Sequence, residues 1–119
     1  MENVISDELL EEFIGGVAFR KRALLECFDV LINKEEQVID EVAMIVTFNS
    51  PNDNGRCSHD ELMIVLRFPG YEEEVRRLKY PEFFKLIKNG FEAKGHYYSK
   101  SDQIRIQGII DMLEKSYFE

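Results

Sequence analysis

The sequence predicts an α+β fold: a short antiparallel sheet of two to three strands, packed with an N-terminal helix and two C-terminal helices. Three observations predict it. Apolar residues near both ends recur at three- and four-residue steps, the period that gathers side chains on one helical face. Between them stand two short β-branched and aromatic runs, Val42 to Asn49 and Leu62 to Phe68. A chain of 119 residues with 45% hydrophobic side chains has the size and composition of one domain, residues 1–119, with one core.

The elements follow in order. Ser6 can accept a hydrogen bond from an unpaired amide of a first helical turn, and Asp7 and Glu8 suit its positive end. Leu10, Phe13, Val17, Leu24, Phe28 and Leu31 then form a stripe that skips one turn at Lys21. Gly15-Gly16 costs roughly 1 kcal/mol per glycine relative to alanine, so one helix with a weak point there is expected. Cys27, beside Phe28, reads as a packing residue. The two apolar runs pair most simply as an antiparallel hairpin, and because both parities are apolar, both sheet faces should be covered. Glu72 to Tyr80 reads as a third, edge-like strand, extended at Tyr80 because Pro81 follows. Pro81 suits the first position of a helix carrying Phe83, Phe84, Leu86, Ile87 and Phe91, with a weak point at Asn89-Gly90 and a stop at Gly95. Ser101 is placed to cap a last helix whose Ile104, Ile106, Ile109, Ile110, Met112, Leu113 and Tyr117 form a broad core-facing stripe.

Charge bounds the function. Acidic side chains number 23 against 15 basic ones, a formal net charge of −8, and the isoelectric point lies near 4.8. Such a field repels nucleic acid and anionic membrane and speeds association with a basic partner. The short basic patches, Arg20 to Arg22 and Arg76, Arg77 and Lys79, are expected to make ion pairs with neighbours such as Glu26 or Glu74. No apolar run is long enough to cross a bilayer, and the start is acidic where a secretory signal is basic, so a cytoplasmic location is expected. Two cysteines are too few for a disulfide framework or a zinc set.

The segment between the runs, SPNDNGRCSHDE, matches all but the first position of a calcium-loop template, with Asn52, Asn54, Gly55 and Glu61 in register from Ser50. Neutral oxygens at its first positions and strands on either side argue against calcium. Cys57, His59 and Asp60 are too close in sequence to surround one tetrahedral zinc, and no oxyanion or phosphate motif accompanies them as a nucleophile set. No metal, cofactor or catalytic residue is therefore assigned, and the chain is read as a non-enzyme.

The second half runs from DELMIVLRF through EEEVRRLKYPEFFKLIKNGFE to GHYYSKSDQIRIQGIIDMLEK. Its strand, acidic turn, strand ending before an aromatic EFF helix, Tyr-containing break and last amphipathic helix resemble the small bacterial immunity proteins that accompany ribonuclease toxins of contact-dependent growth inhibition systems. The likeness covers a little over half of the chain and rests on residue types. It implies a cytoplasmic protein that binds and neutralises a toxin nuclease domain, with no chemistry of its own.

Charge supports that reading independently, since a nuclease presents a basic cleft that carboxylates can occupy in place of phosphates. One candidate surface combines Glu72, Glu73 and Glu74 with Asp53, Asp60 and Glu61, anchored by Tyr71, Tyr97 or Tyr98. Glu8, Glu11 and Glu12 of the first helix satisfy the same argument. A phage- or plasmid-encoded acidic regulator that inhibits another nucleic-acid-acting enzyme would carry the same charge. A metal-binding protein is a weaker third reading.

Overall fold

The structure, a computed structural model, describes residues 3–50 and 56–118. Ser6 Oγ accepts from Leu9 N at 3.1 Å and starts helix α1, Asp7–Phe19; helix α2 is Lys21–Asn33. The expected single helix is thus two, and the break falls at Arg20, not at Gly15-Gly16. Arg20 is extended, with φ −111° and ψ 113°. Its Nε donates to Gly16 O and its guanidinium reaches Asp40, which holds the corner. The skipped turn at Lys21 is the signature of this corner. Leu10, Ile14 and Val17 on α1 and Leu24, Phe28 and Leu31 on α2 all reach the same core.

Five strands make one mixed sheet, in place of two to three antiparallel ones. They are β1 Asn3–Val4, β2 Gln37–Val38, β3 Ala43–Val46, β4 Glu61–Leu66 and β5 Glu74–Lys79, in the order β1-β5-β4-β3-β2. The β3–β4 hairpin is antiparallel as expected, with Ile45 opposite Ile64. β5 is not an edge over its whole length, because β1 lies parallel to its first residues, with Ile5 N donating to Val75 O at 2.9 Å. Two-residue strands are too short to show alternation, and these two are recruited by longer neighbours.

Alternation along β3, β4 and β5 divides the apolar residues between two faces. Ala43, Ile45, Leu62, Ile64, Leu66 and Leu78 join the helices in the main core, where burying each large side chain stabilises by about 1.5–3 kcal/mol. Val46, Met63, Val65 and Val75 pack with Cys57 on the other face.

Helix α3 is Tyr80–Lys94, a three-residue 3₁₀ turn follows at Gly95–Tyr97, and α4 is Lys100–Phe118. Helix α3 begins at Tyr80, with the last extended residue Lys79 one position before the expected one. Lys79 N donates to Glu82 Oε1 at 3.3 Å, which shifts the cap by one residue. Asn89-Gly90 is no weak point: a Cβ on Gly90 would lie 3.1 Å from Ala18 Cβ and 3.2 Å from Ile14 Cγ2, so the glycine lets α1 and α3 approach. Gly95 ends α3 as expected. Ser99, not Ser101, caps α4 by accepting from Asp102 N at 3.2 Å. Along α4 the core-facing residues are Ile106, Ile110 and Leu113, with Ile109 and Tyr117 half-buried, whereas Ile104 is 75% and Met112 51% exposed. Each of those two lies two residues from a buried isoleucine, about 200° around the helix, and so faces away. Among the described residues no helix is long and apolar enough to cross a membrane.

Candidate functional site

Three of the acids expected to form one surface around the β4–β5 turn, Asp60, Glu61 and Glu73, are already engaged by cations. Register places Glu61 opposite Lys79 and Met63 opposite Arg77, on the sheet face away from the main core. Arg77 Nη1 lies 3.2 Å from Glu61 Oε1 and also donates to Arg56 O. Lys79 Nζ lies 2.7 Å from Asp60 Oδ2. Glu73 bridges two guanidiniums, Arg67 at 2.7 Å and Arg56 at 3.3 Å.

The titration of these groups follows from their partners. The hydrogen bond from Lys79, with another from Ser58, holds the Asp60 carboxyl below the usual range, and the same bond raises Lys79. Partial burial pushes Glu73 up, but the hydrogen bonds and charges of Arg67 and Arg56 outweigh it and leave its carboxyl lowered. Glu72 is exposed and accepts from Asn3 Nδ2 at 2.7 Å, and Glu74 is half-buried in β5. Asp53 lies outside the described residues.

The basic patches find one expected partner and several others. Only Arg22 pairs with Glu26; Lys21 pairs with Asp102 at 3.0 Å and Arg76 with Asp7 at 2.8 Å. Glu74 has no salt bridge among the described residues.

The segment read against metal templates has other local roles. Ser50 Oγ accepts from Thr47 N at 3.0 Å and Glu61 meets Arg77, so the first and last positions of the calcium pattern are committed elsewhere. Asn52, Asn54 and Gly55 lie outside the described residues. Cys57 is buried and its thiol donates to Val46 O at 3.7 Å; His59 stacks on Phe48 with ring centroids 4.2 Å apart. The His96 ring packs tilted against Tyr97, with centroids 4.0 Å apart. Among the described residues no group of three His, Cys, Asp or Glu could hold a metal ion. Cys27 is fully buried, and burial pushes its thiol up, with Glu26 adding to the shift.

The first helix differs. Glu8, Glu11 and Glu12 are exposed, and no ion pair or hydrogen bond engages their carboxylates among the described residues. Glu11 borders an open groove between α1, β5 and α3, where Asp7 and Glu82 are mixed with Arg76, Lys79 and Lys85. Glu8 and Glu12 stand one turn apart on the solvent side, and the same stripe continues through exposed Gly16 to Phe19. A Cβ at Gly15 or Gly16 would meet nothing within 4 Å, so neither packing nor backbone geometry requires these glycines.

The three candidate tyrosines separate by role. Tyr71 is 79% exposed and Tyr97 64% exposed, and Tyr97 meets Phe19 edge-on with ring centroids 5.2 Å apart. Tyr98 is half-buried and donates from its hydroxyl to Ala18 O at 2.6 Å, tying the 3₁₀ turn to α1. Sequence reading missed Phe19 and Ile104 as surface residues. The signal was their two-residue offset from buried Val17 and Ile106. No family model, curated protein or solved structure matches this chain.

Proposed function

We propose that the chain is an immunity-type inhibitor that binds and neutralises a basic bacterial toxin nuclease domain, and that α1 carries the acidic contact. The observation that supports this placement is the unequal engagement of the acids. Asp60, Glu61 and Glu73 are answered by the protein's own cations, whereas Glu8, Glu11 and Glu12 have none among the described residues. A carboxylate already bonded to a guanidinium must lose that bond before it can answer a partner's lysine. A solvated one loses only water, and its long-range field steers encounter.

The test is to read the neighbouring open reading frame and, where it encodes a secreted protein with a basic C-terminal domain, to co-express that domain with this chain. Cells are expected to survive, and a stable complex is expected to co-purify, with an association rate that falls steeply as salt rises. Cell death despite folded protein, or a host pull-down that returns a DNA-acting enzyme instead, would overturn the toxin reading. The second result would favour the acidic-regulator class.

A further inference from the structure

Helix α4 turns apolar side chains to solvent on the side away from the core, and one of them, Ile104, borders an open groove of about 750 Å³ between α3 and α4. Phe91, Gly95 and His96 line the same groove. The His96 ring packs tilted against Tyr97, which meets Phe19, so an apolar and aromatic surface runs from the groove to the end of α1. Phe19, Tyr97 and Ile104 are 55%, 64% and 75% exposed. The surface is held in shape. Tyr98 is bonded to Ala18 O, Gln103 Nε2 donates to Tyr98 O at 2.8 Å, and Lys21 pairs with Asp102.

Charge selects the occupant. The charged side chains lining this groove are Glu92 and Asp111, both carboxylates, with no lysine or arginine among the lining residues. Glu92 has no ion pair among the described residues, and Asp111 accepts only from Gln107 Nε2, at 2.9 Å. The groove beside α1 and β5 mixes acids with bases and offers no such preference.

We propose that the α3–α4 groove docks a basic amphipathic segment of the partner protein. An apolar side chain of that segment sits against Ile104 and His96, and a lysine or arginine is answered by Glu92 and Asp111. This deepens the inhibitor reading and rests on it, but its test uses other residues and needs no toxin.

The probe is a synthetic peptide of alternating leucine and lysine, added to isotope-labelled protein and followed by amide chemical shifts. A leucine–glutamate peptide is the control. Saturable shifts at His96, Ile104 and Gly108 are expected with the lysine peptide alone. Ile104→Ser with Glu92→Gln should weaken binding by about tenfold, as loss of a central anchor does, while Glu73→Gln, whose carboxylate is held by Arg67 and Arg56, leaves it unchanged. Shifts confined to Glu8 and Glu12, equal binding of the glutamate peptide, or concentration-dependent shifts without peptide would each overturn the proposal. The last would assign the face to a second copy of the chain. If the peptide maps to the groove but no nuclease is neutralised, the toxin reading fails and the docking site stands. If the nuclease is neutralised through α1 and the groove stays silent, the reverse holds.

Discussion

The outer side of the β4–β5 hairpin and the solvent side of α1 are both rich in carboxylates, yet they differ in how many of those carboxylates the protein's own cations hold. On the sheet, alternation and register bring Glu61 and Asp60 against Arg77 and Lys79, and Glu73 between Arg67 and Arg56. On α1, Glu8 and Glu12 are one turn apart with no cation in reach among the described residues, and the helix carries two glycines at which an added Cβ would meet nothing within 4 Å. Acidic clusters of similar appearance in sequence therefore differ in availability. One is spent on holding strands and loops together; the other is open to solvent and aligned with exposed Phe19.

The largest expected effect breaks the comparison through binding. Reversing Glu8, Glu11 and Glu12 to lysine should weaken partner affinity by about a hundredfold, or about 2.7 kcal/mol, mostly through slower association that salt no longer modulates. Unfolding by urea should show a loss of only about 0.3–1 kcal/mol, from reversing Glu8 at the positive end of α1. Unchanged affinity in a titration at low salt would remove α1 from the interface.

Next in size is a gain in stability. Replacing Gly15 and Gly16 together by alanine should stabilise the chain by about 2 kcal/mol, since each helical glycine costs about 1 kcal/mol and each added methyl enters open space. By contrast G90L should destabilise by about 1–3 kcal/mol, because its side chain overlaps Ala18 and Ile14. Urea midpoints measure both, and similar signs for the two would mean that the α1 glycines are packed after all.

A smaller effect belongs to the sheet side. Glu73→Gln removes a partly exposed bridge between two guanidiniums and should cost about 0.5–1 kcal/mol, with partner affinity unchanged. A clear loss of affinity without a loss of stability would restore the β4–β5 turn as the contact.

The smallest effect is the pH dependence. Asp60, Asp102 and Glu73 have carboxyl pKa values lowered on folding, Asp60 and Asp102 chiefly by hydrogen bonds from Lys79 and Lys21. A lowered carboxyl contributes stability that is complete above its unfolded pKa, about 4 for these groups, and is lost as pH falls through the folded value. Thermal melts should therefore be flat through neutral pH and fall below about pH 4. Glu73→Gln should flatten part of that decline.

Much of the fold was legible because it rests on local patterns. The β3–β4 hairpin, the cap at Ser6, the stop at Gly95 and the aromatic face of α3 all depend on residues near one another in sequence. What failed depends on distant neighbours. β1 exists because β5 supplies its hydrogen bonds, and the corner at Arg20 is held by Asp40. Ile104 was misread because an isoleucine count ignores the angle around the helix.

Of the candidate site, the sequence by itself determined the negative charge, the acids that cluster and the helix on which Glu8, Glu11 and Glu12 sit. Composition and helical period contain that information because both are properties of contiguous residues. Only the tertiary structure decided which acids are neutralised, since Glu61 meets Arg77 and Glu73 meets Arg56 through strand register and a returning loop. It also joined Phe19 to Tyr97 and placed Ile104 beside His96, because contacts between residues far apart in the chain are set by how the helices pack.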